Sequence, residues 1–95
     1  MNRELEKFIK VYLGLEQAYD TSGYLRPTLF AYKNEYVTAV KQDFEELLRY
    51  REFTVGGYER LTDIEFNDTE SLYDYLNGIY RYLFESQEEQ PAPPS

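Results

Sequence analysis

The stretch "TVGGYERLTDIEFND", residues 54–68, decides whether this chain is purely helical or carries a β-hairpin. Two patterns compete within it. Phe53–Val55 and Ile64–Phe66 have the length of brief strands, and "DIEF" alternates polar with apolar residues as a half-buried strand does. "YERLTD" at 58–63 instead suits a short helical turn, with Gly56 and Gly57 marking a turn or a helix stop before it. The reading taken is irregular structure with one short helix. The alternative is a mostly helical fold with a short hairpin around 53–66.

Both flanks are helical. Downstream, "SLYDYLNGIYRYLF" at 71–84 places Leu72, Leu76, Ile79 and Leu83 on one spine at ~100° per residue. Tyr75 and Tyr82 border one edge of that spine, and Tyr73, Tyr80 and Phe84 the other. Asp74, Asn77, Gly78, Arg81 and Glu85 close the remaining side. Asn67 or Asp68 is the predicted cap, with Asp68 and Glu70 adding negative charge at the positive helix end. This helix is expected to run to about Glu85.

Upstream, Leu29, Tyr32, Tyr36, Val37, Val40, Phe44, Leu47 and Leu48 form one apolar arc. They fit a single helix to about Glu52 or two shorter ones with a bend, and because the run exceeds ordinary helix length a break near Asn34 would be no surprise. "DTSGYLRP" at 20–27 punctuates the chain, and Pro27 suits a helical first turn. Before it, Leu5, Phe8, Ile9, Tyr12 and Leu13 carry an amphipathic stripe over about residues 3–19.

The sum is an all-α domain, a small three- or four-helix bundle over residues 1–86. Residues 87–95, polar and proline-rich, read as a disordered tail. The expected core is Leu5, Phe8, Ile9, Tyr12, Leu13, Val37, Val40, Phe44, Leu47, Leu72, Leu76, Ile79 and Leu83.

Composition narrows function. The 95 residues include no cysteine and no histidine, which removes thiolate zinc sites, disulfides and every catalytic group built on imidazole. The glycine pair lacks the spacing and lysine of a phosphate-binding loop. "DIEFNDTE" lacks the mid-loop glycine of a calcium loop and sets Ile64 and Phe66 between its acids. A chain this short has little room for the cleft that a carboxylate-pair glycosidase needs. No enzyme activity, metal or cofactor is expected. No apolar run approaches the ~20 residues that cross a bilayer, and the N-terminus lacks a secretory core, so the expected location is the cytoplasm.

Charge points to the partner. Residues 1–53 balance eight Lys/Arg against nine Asp/Glu, whereas residues 54–95 set two, Arg60 and Arg81, against nine. Almost all of the net charge of −8 therefore lies in the second part. Nucleic acid and anionic lipid would be repelled, and a basic protein attracted. In a bundle this small, a border tyrosine can simply cover core while its hydroxyl stays in water. Eleven tyrosines, however, exceed what a core of this size needs, so some are expected at the surface. Exposed tyrosine beside carboxylate suits protein recognition, the ring giving rigid contact and the acids steering and pairing with cations. The two biases coincide at 57–75, and the partner-binding candidates are Tyr58, Glu59, Asp63, Glu65, Asp68, Tyr73 and Asp74.

With "YERLTDIEFNDTE" and "SLYDYLNGIYRYLF" as carriers, residues 1–86 resemble the small acidic immunity proteins of nuclease colicins and of contact-dependent growth inhibition systems. The resemblance implies a cytoplasmic inhibitor that binds a basic toxin nuclease domain and blocks its active site without chemistry. Nuclease-colicin immunity proteins carry two adjacent tyrosines where this chain has only Tyr58, so the resemblance assigns no individual residue. Two other readings fit the composition. One is a DNA mimic that inhibits nucleic-acid-binding proteins; the other is a homo-oligomerising module that packs Tyr73 and Tyr80 against a second copy.

Overall fold

In the computed structural model, which describes residues 3–94, five helices follow one another: α1 Arg3–Tyr12, α2 Leu25–Phe30, α3 Asn34–Tyr50, α4 Val55–Thr62 and α5 Thr69–Phe84. No strand occurs among the described residues. The chain is an all-helical bundle, with one helix more than the upper expectation because both ambiguous regions resolve into separate helices. α1 packs on α3 and α4, and α5 packs on α2 and α3.

α5 is the central element. Its spine of Leu72, Leu76, Ile79 and Leu83 is buried as the periodicity predicts. Asp68 caps it, accepting from the Ser71 N–H at 2.8 Å and the Ser71 hydroxyl at 2.7 Å. These two donors hold the Asp68 carboxyl below the usual carboxylate range.

Of the two readings of the long apolar arc, the broken one holds, with α2 ending at Phe30 and α3 beginning at Asn34. Pro27 lies in the first turn of α2. α3 ends at Arg51, which takes the left-handed conformation at φ 49° and donates its N–H to the Leu47 carbonyl.

α1 is shorter than the predicted 3–19. Past Gly14 the Leu15 N–H leaves the helical ladder and donates to Thr62 O at the end of α4, 2.9 Å away. A Cβ on Gly14 would sit 2.9 Å from the Lys10 carbonyl oxygen, so the chain needs glycine to turn there. The next residues form turns that bring Ala18 into the core.

The segment 54–68 holds a helix that the glycine pair opens; the reading of Gly56 and Gly57 as a stop is corrected. Thr54 caps α4 by accepting the Gly57 N–H at 2.9 Å, which places both glycines in the first turn. The hairpin alternative fails for a specific reason. The N–H and C=O of Phe53, which a strand would offer to a neighbour, are both bound by the Tyr73 hydroxyl, at 2.9 and 3.1 Å. Ile64 and Phe66 do alternate inward as "DIEF" suggests, but from an extended loop.

Of residues 87–95, read as a disordered tail, Ser95 lies outside the described residues and 87–94 lie back along α5. Ser86 reverses the chain at φ 65°. Arg26 of α2 then joins two segments, donating from Nε to Tyr82 O at 2.8 Å and from a terminal nitrogen to Gln87 O. Pro91 lies over Gly78, Gln90 and Pro93 are buried, and the Tyr19 hydroxyl donates to Pro94 O. The segment thus covers α5 at Gly78, whereas Asp74, Arg81 and Glu85 on the same polar side stay exposed.

Candidate partner-binding face

The structure separates the two kinds of residue that the sequence reading joined. Tyr58 is fully buried and Tyr73 is 2% exposed, so neither belongs to a surface. Their assignment to partner binding is corrected. Glu59, Asp63, Glu65, Asp68 and Asp74 are all exposed, as is Glu70.

Burial of the tyrosines follows from how completely α5 is surrounded. The Tyr80 ring meets Phe44 edge-on at 5.8 Å, and its hydroxyl donates to Glu45 Oε2. Tyr82 lies beneath the Arg26 guanidinium, 4.2 Å from the ring centre. Tyr75 packs on Phe66 at 5.3 Å. Positions that border an apolar spine on a helical wheel become interior once an element covers each side.

Beneath the acidic segment runs a continuous row of rings. Phe53 meets Tyr58 at 5.2 Å, Tyr58 meets Phe66 at 5.8 Å, and Phe66 meets Tyr75. Burial pushes the Tyr58 and Tyr75 phenols up, and the Tyr75 hydroxyl adds to the effect on Tyr58. The tyrosines therefore serve the face from below. They fix the backbone from which Glu59, Asp63, Glu65 and Asp68 project. Asp63 itself occupies a left-handed position, φ 63°, at the end of α4.

Positive charge within this face is sparse. Arg60 is exposed on α4, and Arg51 reaches across from α3 to Glu70 at 2.9 Å while covering the Tyr73 ring. The pair is exposed at both ends and so adds little stability. Among the described residues no three acids converge on a point where a metal ion would sit. Among the same residues no helix is long and apolar enough to cross a membrane.

Partly exposed aromatic residues lie elsewhere: Tyr32, read as part of the apolar arc, is exposed, and Tyr12 and Val37, expected in the core, are only half-buried against it, as is Tyr36. Tyr12 and Tyr32 share a hydroxyl–hydroxyl bond of 2.6 Å, and Tyr32 stacks on Tyr36 at 4.5 Å. That bond and partial burial push the Tyr12 phenol up to about 12. A groove of about 720 Å³ opens between α2, α3 and α5, with Phe30, Lys41, Glu45 and Phe84 on its walls. Phe84 lies fourteen positions beyond Glu70 on α5, roughly 21 Å at 1.5 Å per residue, so the groove and the acidic face occupy opposite ends of that helix. Compared with known protein families, curated proteins and solved structures, the chain matches none.

Proposed function

We propose that this chain is a non-catalytic inhibitor of a basic protein, acting in the cytoplasm as an immunity-type antagonist of a bacterial toxin domain. The observation that carries the reading is the exposure of six carboxylates between Glu59 and Asp74, projecting from a backbone pinned by Tyr58, Phe66 and Tyr73. Carboxylates on a backbone already held in place spare the cost of ordering a loop on binding, and they raise the encounter rate with a cationic surface. Tight binding at or near the toxin's active site would suffice for neutralisation.

The test pairs this chain with the basic toxin domain encoded beside it. Expression of the chain should restore growth of cells making that domain, and the triple variant Glu59→Lys, Glu65→Lys, Asp74→Lys should lose both protection and affinity while remaining folded. Unchanged protection by the folded triple variant would reject this face.

One observation favours a second reading. With Tyr58 and Tyr73 inside, the face offers charge without aromatic anchors, which also suits a DNA mimic. A mimic would compete with DNA for several unrelated basic proteins, whereas an immunity-type inhibitor would select one.

A further inference from the structure

The C-terminal segment does more than cover α5 at Gly78; with Phe66 and Tyr75 it lines a cleft in which Pro91 is seated on that glycine. Gly78 forms the floor. A Cβ there would lie 2.9 Å from Pro91 Cγ, so the pyrrolidine ring rests in space that only glycine leaves open. Phe66 and Tyr75 form an aromatic wall, and the Tyr19 hydroxyl donates to Pro94 O. Prolines on a glycine floor beside aromatic rings, with a tyrosine hydroxyl on a proline-segment carbonyl, offer a general way to hold a proline-rich peptide, whose restricted backbone loses little entropy on binding.

Two features mark the chain's own segment as an imperfect occupant. Gln90 Oε1, next to Pro91, is buried with no hydrogen-bond partner among the described residues. Beside Pro91, Ala92 and Pro94 about 410 Å³ of the cleft is unfilled, bordered by Asn67, Ser71 and Asp74. Asp74 is exposed at this rim. A ligand with a cation next to its prolines would gain a carboxylate there that "QPAPP" does not use.

From this geometry we infer that the cleft between α5, Phe66 and Tyr19 is a binding site for a proline-rich peptide segment flanked by Lys or Arg, held shut in cis by residues 90–94. The intramolecular segment competes at an effective concentration in the mM range, as a short tether dictates. An external ligand therefore binds well only when the segment is displaced or outcompeted. The cleft meets the acidic face at Asp74, but neither reading requires the other: charge reversal at Glu59 and Glu65 tests the face alone, and the proline and Gly78 substitutions test the cleft alone.

The experiment uses the full chain in three forms: wild type, Pro91→Ala/Pro93→Ala, and that double variant with Gly78→Ala. Each is titrated with a fluorescent peptide of residues 86–95 and with the same peptide extended by two arginines, after circular dichroism has established that each form is folded. The double variant should bind the extended peptide at least tenfold more tightly than wild type does, and Gly78→Ala should abolish that gain. Asp74→Asn in the double variant should remove most of the difference between the two peptides. Equal binding by wild type and double variant, or binding indifferent to Gly78→Ala, would overturn the inference. So would sedimentation of wild type as a dimer that the proline substitutions dissolve, since the segment would then be exchanged between copies. If Gly78→Ala unfolds the chain, Tyr19→Phe takes its place, with a several-fold loss expected and no loss counting against the cleft.

Discussion

One hydroxyl, that of Tyr73, satisfies both backbone groups of Phe53: it accepts the N–H at 2.9 Å and donates to the carbonyl at 3.1 Å. The link ties α5 to the strand-like residue just before α4 and takes the place of a partner strand. Tyr73→Phe keeps the ring and strands two buried backbone groups. The expected loss is about 1–3 kcal/mol, the cost of unsatisfied buried polar groups. Urea denaturation measures it, and a loss below about 0.5 kcal/mol would contradict the role given to this hydroxyl.

Tyr58 and Tyr75 give the opposite expectation. Their hydroxyls are buried and neither makes a hydrogen bond of ordinary geometry. The double variant Tyr58→Phe/Tyr75→Phe removes two desolvated polar atoms and leaves the ring row intact, so stability should be unchanged or higher by up to about 2 kcal/mol. The same denaturation series checks the contrast with Tyr73→Phe.

Alkaline pH should unfold the protein. The Tyr58 and Tyr75 phenols are raised above their ordinary value of 10.0 by burial, and Tyr12 is raised to about 12 by its bond to Tyr32. A phenol whose folded value lies above its unfolded value gives stability that is fully present below pH 10 and lost as pH climbs through the folded value. Tyrosinate absorbance and helical circular dichroism should therefore part company. Some of the eleven phenols ionise while helix persists, and the rest ionise together with its loss. Ionisation of all eleven in one smooth step before any loss of helix would refute this.

Charge reversal on the acidic face should separate binding from folding. Glu59, Glu65 and Asp74 are exposed, so Lys at each should shift stability by no more than about 0.5 kcal/mol. Affinity for a cationic partner should fall with each change, and the wild-type affinity should weaken steeply with salt. Asp68→Ala is the useful contrast. Removing the α5 cap should cost about 1 kcal/mol of stability in addition to any effect on binding.

Arg26→Gln tests the join between α2, the end of α5 and the returning segment. Charged hydrogen bonds to two carbonyls and the contact with the Tyr82 ring are lost together. The expected cost is about 1.5–3 kcal/mol, with faster proteolysis after Phe84.

Much of this architecture is legible from periodicity alone. The spine Leu72, Leu76, Ile79, Leu83, the break before Asn34 and the Asp68 cap all depend on neighbours in sequence, and the structure carries each of them. What escaped is set by distant neighbours. α1 ends where Leu15 bonds to Thr62, forty-seven positions away, and nothing near Leu15 announces that carbonyl. Gly56 and Gly57 suit a helix stop as well as a helix start until Thr54 is seen to cap. The binding tyrosines were misplaced for the same reason. A wheel shows which residues share a face, but not how many other elements will cover it. Of the candidate face, the acids were legible as charge and remain outside, whereas Tyr58 and Tyr73 are interior.

The central position of α5 also bears on biosynthesis. The apolar sides of α2 and α3 that meet it, including Leu29 and Phe44, leave the ribosome before it does. Until those later residues emerge, the nascent chain displays greasy surface with nothing to shield it. Such an intermediate is a natural client for chaperones, and slowing translation ahead of α5 should raise aggregation rather than yield.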